Sequence, residues 1–182
     1  MVAGCIAFVF LTAHSALSAA GADGRVHDLA AEAHGRPIAL IFISHDCPIC
    51  NAYAPEFTRI ARDYRGRAVF ALVYAEPAIS GPAALSHAKN YRLMDAELLL
   101  DPEGRLATYC GARITPEAVV FDGAKRRQYV GRIDDLFYDF GKQRQSARRH
   151  DLRIALNAVL KHKPATPAAG PPFGCVIETG LK

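Results

Sequence analysis

The sequence contains little cysteine and no tryptophan. Five cysteines among 182 residues are too few for a disulfide-stabilised scaffold. A chain of this length, in which 51% of the residues are apolar, can instead fold as one domain on its hydrophobic core. Internal repeats are also lacking, so repeat architectures are excluded. We therefore expect one domain with short appendages, in which the cysteines are reactive or packed.

A large surplus of charge is also lacking. The 22 lysine and arginine residues and the 18 aspartate and glutamate residues give a net charge of +4. This surplus is too small to make a polyanion-binding surface. The arginine-rich segment 142–153 has no interleaved aromatic residues, which is typical of a solvated face. No nucleic-acid partner is predicted.

The first 22 residues contain no aspartate, glutamate, lysine or arginine. An apolar run at residues 5–11 and small side chains at residues 18–22 resemble an export signal that is cut before Gly21 or Asp23. The same stretch is long enough to span a bilayer, so a retained anchor is the alternative. We predict that residues 1–22 are a signal peptide or N-terminal anchor. The protein is then periplasmic or secreted, with membrane contact only if the segment is retained.

Two continuous apolar segments, residues 38–44 and 68–74, predict strands that are buried on both faces of a sheet. Apolar side chains recur at helical spacing between them, so the three elements form a parallel βαβ unit. We place the domain at residues 23–162, and a proline-rich tail that contains Cys175 at residues 163–182. Further predicted elements are a helix near 83–91, a strand at 97–100, a short helix at 102–110, a hairpin of 118–121 with 127–130, and a helix from Asp151.

The motif Cys47-Pro48-Ile49-Cys50 lies between the end of the first predicted strand and the predicted helix that follows it. Unpaired backbone N–H groups and the positive end of the helix dipole stabilise a thiolate at this position. Cys50 follows one turn later, close enough to attack a mixed disulfide formed at Cys47. We predict that Cys47 is a solvent-accessible nucleophile and that Cys50 resolves the mixed disulfide.

The same Cys-x-x-Cys spacing occurs in half of a zinc site. Zinc normally needs a second ligand pair, and the sequence shows none. Soft thiolates favour Cu(I), so a copper carrier that uses Cys47, Cys50 and a histidine is a less favoured alternative. We predict no metal and no cofactor for the favoured reading.

Residues 47–61, including Pro55 eight residues after the first cysteine, resemble the active-site helix of thioredoxin. The segment Arg113-Ile114-Thr115-Pro116 before a strand resembles the cis-proline loop of that superfamily, alongside which substrate backbone pairs. The stretch between the two motifs is longer than in a minimal thioredoxin. The chain is therefore more similar to the TlpA-like and redoxin branch, related to AhpC/TSA proteins, among exported bacterial proteins.

The resemblance implies a thioredoxin-like α/β fold with a central mixed sheet of about four or five strands and helices on both faces. It also implies a thiol-disulfide oxidoreductase with Cys47 and Cys50 as catalytic residues. Thr115, Pro116 and Pro48 would shape the groove for substrate. The implied partners are thiols or disulfides of exported proteins, or a partner redoxin.

The redoxin resemblance also implies a second enzyme, a peroxiredoxin-like thiol peroxidase with antioxidant activity. Ser44, three residues before Cys47, matches the hydroxyl that such sites use. Leu40 stands where their proline would be, and Pro116 stands near the position of their arginine. We favour disulfide exchange. The chain departs from thioredoxin as well, since Ile41 replaces its buried carboxylate.

Three further residues have two interpretations each. His45 would stabilise the Cys47 thiolate or shuttle protons, or it is an exposed loop side chain. Cys175 would act as an additional resolving thiol at the end of a flexible tail, or it packs on the domain. Cys110 lies on a short helix and is predicted to be a buried thiol rather than a reactive one.

Overall fold

The fold is built around a mixed seven-stranded sheet. The computed structural model describes residues 15–139 and 141–179. Within them, the strands are β1 (Ser18–Gly21), β2 (Val26–Asp28), β3 (Ile38–Ile43), β4 (Val69–Tyr74), β5 (Glu97–Leu100), β6 (Ile114–Thr115), β7 (Glu117–Phe121), β8 (Arg127–Gly131), β9 (Phe137–Asp139), β10 (Lys142–Gln143) and β11 (Cys175–Val176). The helices are α1 (Leu29–Glu32), α2 (Pro48–Asp63), α3 (Gly81–Tyr91), α4 (Arg105–Cys110) and α5 (Asp151–Leu160).

The strand order in the main sheet is β2-β1-β5-β4-β3-β7-β8. β4 is parallel to both β3 and β5, whereas β7 is antiparallel to β3 and β8. The predicted mixed α/β sheet is confirmed, as are the βαβ unit and the β7–β8 hairpin. The sheet has seven strands rather than four or five, because the chain before β3 adds β1 and β2.

β3 separates two hydrophobic cores. Ile41 and Ile43 face a core that is shared with α2, α3 and α5. Leu40 and Phe42 face the opposite core, which is shared with α1 and α4. All four side chains are fully buried. Because successive side chains of a strand point to opposite faces, helices on both faces require a strand that is apolar at every position.

The strand β1 lies within the segment predicted as a leader. It pairs with β2 on one side and with β5 on the other, and Leu17 just before it is buried. Residues 1–14 lie outside the described residues, so the signal peptide or anchor stays a prediction. Cleavage before Gly21 or Asp23 would cut or remove a strand of the sheet. None of the helices within the described residues is long and apolar enough to cross a membrane.

The proline-rich tail returns to the domain. Residues 163–172 have no helix or strand, as their proline content predicts. The chain then forms β11, which pairs antiparallel with β6. Ile177 beyond it is buried in the same core as α1 and α4. The end of the chain is therefore packed against the residues that precede Pro116.

Candidate active site

Cys47 is the N-cap residue of α2. Its backbone is extended (φ −78°, ψ 112°), and Pro48 occupies the first turn of the helix. Proline suits this position because it lacks an N–H and its fixed φ matches a helix. No side chain caps the helix, so the first N–H groups and the positive end of the dipole are directed at Cys47. The helix continues through Pro55 to Asp63.

The thiols of Cys47 and Cys50 have opposite acidities. A hydrogen bond from the Cys50 thiol is the main cause that lowers the pKa of Cys47 to about 5, and a further hydrogen bond comes from Cys175. Burial raises the pKa of Cys50 well above its ordinary value, and the neighbouring Cys47 charge raises it further. The lowered pKa of Cys47 favours its thiolate, and the raised pKa of Cys50 favours its thiol. Disulfide exchange needs this difference, because the attacking cysteine reacts as a thiolate while the resolving cysteine stays protonated until the mixed disulfide has formed.

The Thr115–Pro116 loop lies against the cysteines. The Thr115–Pro116 peptide bond is cis, as the resemblance implies. The Cys47 sulfur is 3.2 Å from the carbonyl oxygen of Thr115, and the Thr115 hydroxyl interacts with Cys50. Thr115 and Pro116 are buried, whereas Pro48 is exposed. The structure thus brings Thr115 to the cysteine pair, whereas Pro116 and Pro48 are the chain neighbours of Thr115 and Cys47.

Glu117 holds this loop and was not predicted from the sequence. Its buried carboxylate accepts hydrogen bonds from the backbone N–H groups of Arg113 (2.7 Å) and Ile114 (3.3 Å). Arg113 directly precedes β6, and Ile114 is the first residue of that strand. A charged residue in the otherwise apolar run of β7, one position after Pro116, is the signal in the sequence that could have revealed it.

Glu76 holds the loop before Cys47. It accepts hydrogen bonds from the Ser44 hydroxyl (2.5 Å) and from the His45 backbone N–H (3.1 Å). Ser44, the hydroxyl of the peroxidase alternative, is therefore bound to a carboxylate. Glu76 follows β4, and Tyr74 pairs with Ile43 at the adjacent end of β3. The adjacent carboxyl ends of two parallel strands could have indicated this contact from the sequence.

His45 contacts carboxylates. Its Nδ1 atom is 2.9 Å from Glu76, without hydrogen-bond geometry, and its Nε2 atom is 3.2 Å from Asp46. The side chain is 39% exposed, so it is neither free in solvent nor buried. His45, Asp46 and Glu76 each place a potential metal ligand within 4.8 Å of the others. That group includes neither Cys47 nor Cys50, so it gives no support to the copper alternative.

A buried polar network connects this loop to α3. The Tyr74 hydroxyl is 2.9 Å from Nδ1 of His87, and Nε2 of His87 is 2.8 Å from Oδ1 of Asn51. The Asn51 amide in turn donates to the His45 carbonyl. Burial lowers the pKa of His87, which favours its neutral form. The sequence did not identify His87, because a single histidine on a helix gives no sign of its partners.

Cys175 contacts Cys47, although 125 residues or more separate it from the motif in the sequence. Cys175 pairs with Thr115 in the β11–β6 ladder, and its thiol interacts with the Cys47 sulfur. Burial raises the pKa of Cys175 to about 11, and the hydrogen bond and the charge at Cys47 add to the effect. Beneath this segment Cys47 is only 1% exposed, so the expectation of a solvent-accessible nucleophile is wrong for this structure.

Cys110 is remote from these contacts. It is fully buried between α4 and the sheet, and burial raises its pKa to about 12. The prediction of a packed thiol is confirmed, and its raised pKa disfavours the reactive thiolate.

The comparisons with known proteins concern the fold. Neither the protein-family models nor the curated proteins give a match for the chain. Among solved structures, a hypothetical protein from Sinorhizobium meliloti is 26% identical, with a TM-score of 0.78 and coverage of 91% of each chain. A secreted disulfide oxidoreductase from Mycobacterium tuberculosis, homologous to E. coli DsbE, is 24% identical, with a TM-score of 0.52 over 60% of this chain and 78% of its own.

A thioredoxin-like protein from Aeropyrum pernix is 20% identical, with a TM-score of 0.55 over 63% of this chain and 79% of its own. Identity at this level carries the fold and not the chemistry. These likenesses, together with the sheet topology, show that the chain has a thioredoxin-like fold.

Proposed function

We propose that this protein is a thiol-disulfide oxidoreductase in which Cys47 attacks and Cys50 resolves. One observation carries the proposal. The Cys47 sulfur lies at the start of α2 with its pKa lowered to about 5, and the protonated thiol of Cys50 lies beside it. A stabilised thiolate with a thiol one turn away is the arrangement that disulfide exchange requires.

The reaction is a pair of exchanges. The Cys47 thiolate attacks one sulfur of a substrate disulfide, which forms a mixed disulfide and releases the other substrate sulfur as a thiolate. Cys50 then loses its proton and attacks Cys47, which forms the Cys47–Cys50 disulfide and releases the second substrate sulfur. Two electrons pass to the substrate with the one proton that Cys50 gives up, any second proton on the product thiols comes from solvent, and the reverse sequence oxidises a dithiol.

The backbone next to Pro116 is the place for the substrate. Thr115 presents its carbonyl oxygen to Cys47, and Glu117 and Glu76 hold the loops on either side of the cysteines. We assign Thr115, Pro116 and Pro48 to the substrate groove. His45 has a positioning role in the loop before Cys47, since its contacts run to Glu76 and Asp46.

We also place the reaction outside the cytoplasm. The uncharged first 22 residues support export, and the similar M. tuberculosis oxidoreductase is a secreted protein. The substrates would be cysteines of other exported proteins or of a partner redoxin. The longer stretch between Cys50 and Thr115 supports placement in the TlpA-like and redoxin branch.

The peroxidase alternative is less well supported by the site. The Ser44 hydroxyl donates to Glu76 and accepts from the Asp46 backbone N–H. It is therefore engaged away from a peroxide that would react at Cys47. Cys50, by contrast, interacts directly with Cys47, as an exchange reaction needs.

The test measures reduction of insulin disulfides by the full chain with dithiothreitol as electron source. We expect Cys47→Ser to abolish exchange. The double variant Cys50→Ser/Cys175→Ser, which leaves Cys47 without a neighbouring thiol, should accumulate mixed disulfides through Cys47. Cys110→Ala is the matched control, because Cys110 lies in the core away from the site, and it should retain activity. Peroxide consumption is assayed in parallel. Exchange that survives in Cys47→Ser, or peroxide turnover without exchange, would overturn the proposal.

A further inference from the structure

The last strand of the described residues, β11, lies where the proposed function expects a substrate strand. β11 pairs antiparallel with β6, with Cys175 opposite Thr115 and Val176 opposite Ile114. The Ile177 N–H donates to the Arg113 carbonyl and extends the ladder. This ladder ends at Pro116, beside Cys47. The chain thus presents its own cysteine to its own nucleophile.

The segment 173–177 is anchored on both sides of Cys175. Phe173 packs against the core that contains α2, and Ile177 is buried in the opposite core. Gly174 is required for the approach, because a Cβ atom at this position would lie 1.8 Å from the Thr115 carbonyl oxygen. Val176 is 76% exposed, and Cys175 is also exposed on one side of the strand. Packing, pairing and a glycine together make this a built contact rather than a loose tail.

The sulfur of Cys47 has two thiol neighbours. Hydrogen bonds from Cys50 and from Cys175 both help to lower the pKa of Cys47, so both thiols lie close to this sulfur. Two of the causes that raise the pKa of Cys175 are its hydrogen bond to Cys47 and the Cys47 charge. This hydrogen bond and this charge both disappear when Cys47 is oxidised to a disulfide. Oxidation of the pair therefore makes the Cys175 thiolate easier to form at the moment when Cys47 becomes an electrophile.

We infer that Cys175 is a third redox-active cysteine, which exchanges with the Cys47–Cys50 disulfide to form a Cys47–Cys175 disulfide. The inference rests on the proposed function, which supplies the Cys47–Cys50 disulfide. The Cys175 thiolate attacks the Cys47 sulfur, the Cys47–Cys50 bond breaks, and Cys50 leaves as a thiolate. The proton that Cys175 releases is taken up by Cys50. One disulfide and one thiol are present before and after, so no external oxidant or reductant is needed.

The exchange has a direct effect on the site. With Cys175 bound to Cys47, the tail is held covalently along β6, where a substrate strand would pair. Attack of the Cys50 thiolate on Cys47 restores the Cys47–Cys50 disulfide and releases Cys175 as a thiolate. The enzyme thus switches between an oxidised form that a substrate can enter and an oxidised form that is closed by its own tail.

The test uses the full-length Cys50→Ser variant, oxidised with glutathione disulfide, quenched in acid and mapped by mass spectrometry of peptides. We expect Cys47 to react with glutathione disulfide and Cys175 then to displace glutathione, so that Cys47–Cys175 is the main product. In Cys50→Ser/Gly174→Val the tail cannot approach, and the ratio of Cys47–Cys175 to glutathionylated Cys47 should fall by about tenfold or more. Cys50→Ser/Val176→Thr is the matched control and should keep the ratio.

Wild-type protein, oxidised and mapped in the same way, separates the two proposals. If it forms Cys47–Cys50 and reduces insulin, while Cys50→Ser gives only glutathionylated Cys47 with Cys175 free to alkylate, this inference is overturned and the proposed function stands. An unchanged ratio in the Gly174→Val variant would also overturn it. If the wild type neither forms Cys47–Cys50 nor exchanges with insulin, both proposals fail.

Discussion

The acidity of Cys47 gives the sharpest prediction, because its main cause is one named contact. The hydrogen bond from Cys50 lowers the pKa of Cys47 to about 5. At pH 7 such a thiol is roughly 99% ionised, whereas an ordinary cysteine with a pKa of about 8.5 is roughly 3% ionised. Replacement of Cys50 by alanine removes the hydrogen bond, so the pKa of Cys47 should rise.

The reaction rate at neutral pH is a poor measure of this effect. A less basic thiolate is a weaker nucleophile, and with a slope of about 0.45 the same difference in pKa lowers its reactivity by roughly 40-fold. This loss nearly cancels the roughly 30-fold gain in ionised fraction at pH 7. At about pH 5.5 the ionised fractions differ by roughly 750-fold, which leaves a net advantage of about 20-fold.

The assay is therefore a pH titration of thiolate absorbance in the reduced protein, which does not require a reagent to reach the covered sulfur. The difference between wild type and Cys47→Ser should show a transition near pH 5. In Cys50→Ala the transition should move upward, and in Cys110→Ala, the matched control, it should stay in place. A low-pH transition that survives in Cys47→Ser, or that does not move in Cys50→Ala, would refute the reasoning.

The same shift makes the stability of the reduced protein depend on pH. The folded pKa of Cys47 lies below its ordinary value, so the unfolded chain binds the proton more tightly. The contribution of Cys47 to stability is therefore fully present above the ordinary pKa and is lost as pH falls toward about 5. Urea unfolding of reduced wild type and Cys47→Ser across this range should show a difference that grows with pH.

Two further predictions concern residues that position the site and the sheet. Leu17 is 2% exposed, so Leu17→Ala should lower the free energy of unfolding by about 2–5 kcal/mol. Val26→Ala, at an exposed position of β2, is the control and should change it little. Equal urea midpoints of the two variants would contradict a packed β1. Glu117→Ala leaves the backbone N–H groups of Arg113 and Ile114 without their acceptor. It should lower the free energy of unfolding by roughly 1–3 kcal/mol and slow insulin reduction. An unchanged exchange rate would show that the loop does not depend on this carboxylate.

The sequence was sufficient for the elements whose signal is local. The strands β3 and β4 are continuous apolar runs because both of their faces are covered, and the helix after Cys47 repeats its apolar residues at helical spacing. Gly111 ends α4 in a left-handed conformation, which glycine adopts without strain and which makes it a common end signal of a helix. The two cysteines and Pro116 were identified together, since their motifs are short and contiguous.

The parts that were missed depend on contacts between residues far apart in the chain. β1 consists of Ser-Ala-Ala-Gly, a composition that is poor in the residues typical of strands and that also suits a signal-peptide cleavage site. β11 is a strand only because β6, some sixty residues earlier, pairs with it. Glu76 and Glu117 bind backbone N–H groups, which have no signature of their own in the sequence. Only the positions of the two carboxylates, after β4 and directly after Pro116, indicate that they have a role near the cysteines.

The pairing of β11 with β6 has a consequence for how tightly any outside molecule can bind. A competitor on the same polypeptide is not diluted when the protein is diluted, so its local concentration stays constant. An incoming peptide can bind only to molecules in which β11 has left β6. Its measured affinity is therefore the intrinsic affinity multiplied by the fraction of such molecules. For the substrates proposed to pair along β6, selectivity is thus set by each ligand's advantage over this tethered strand, rather than by its affinity for an empty surface.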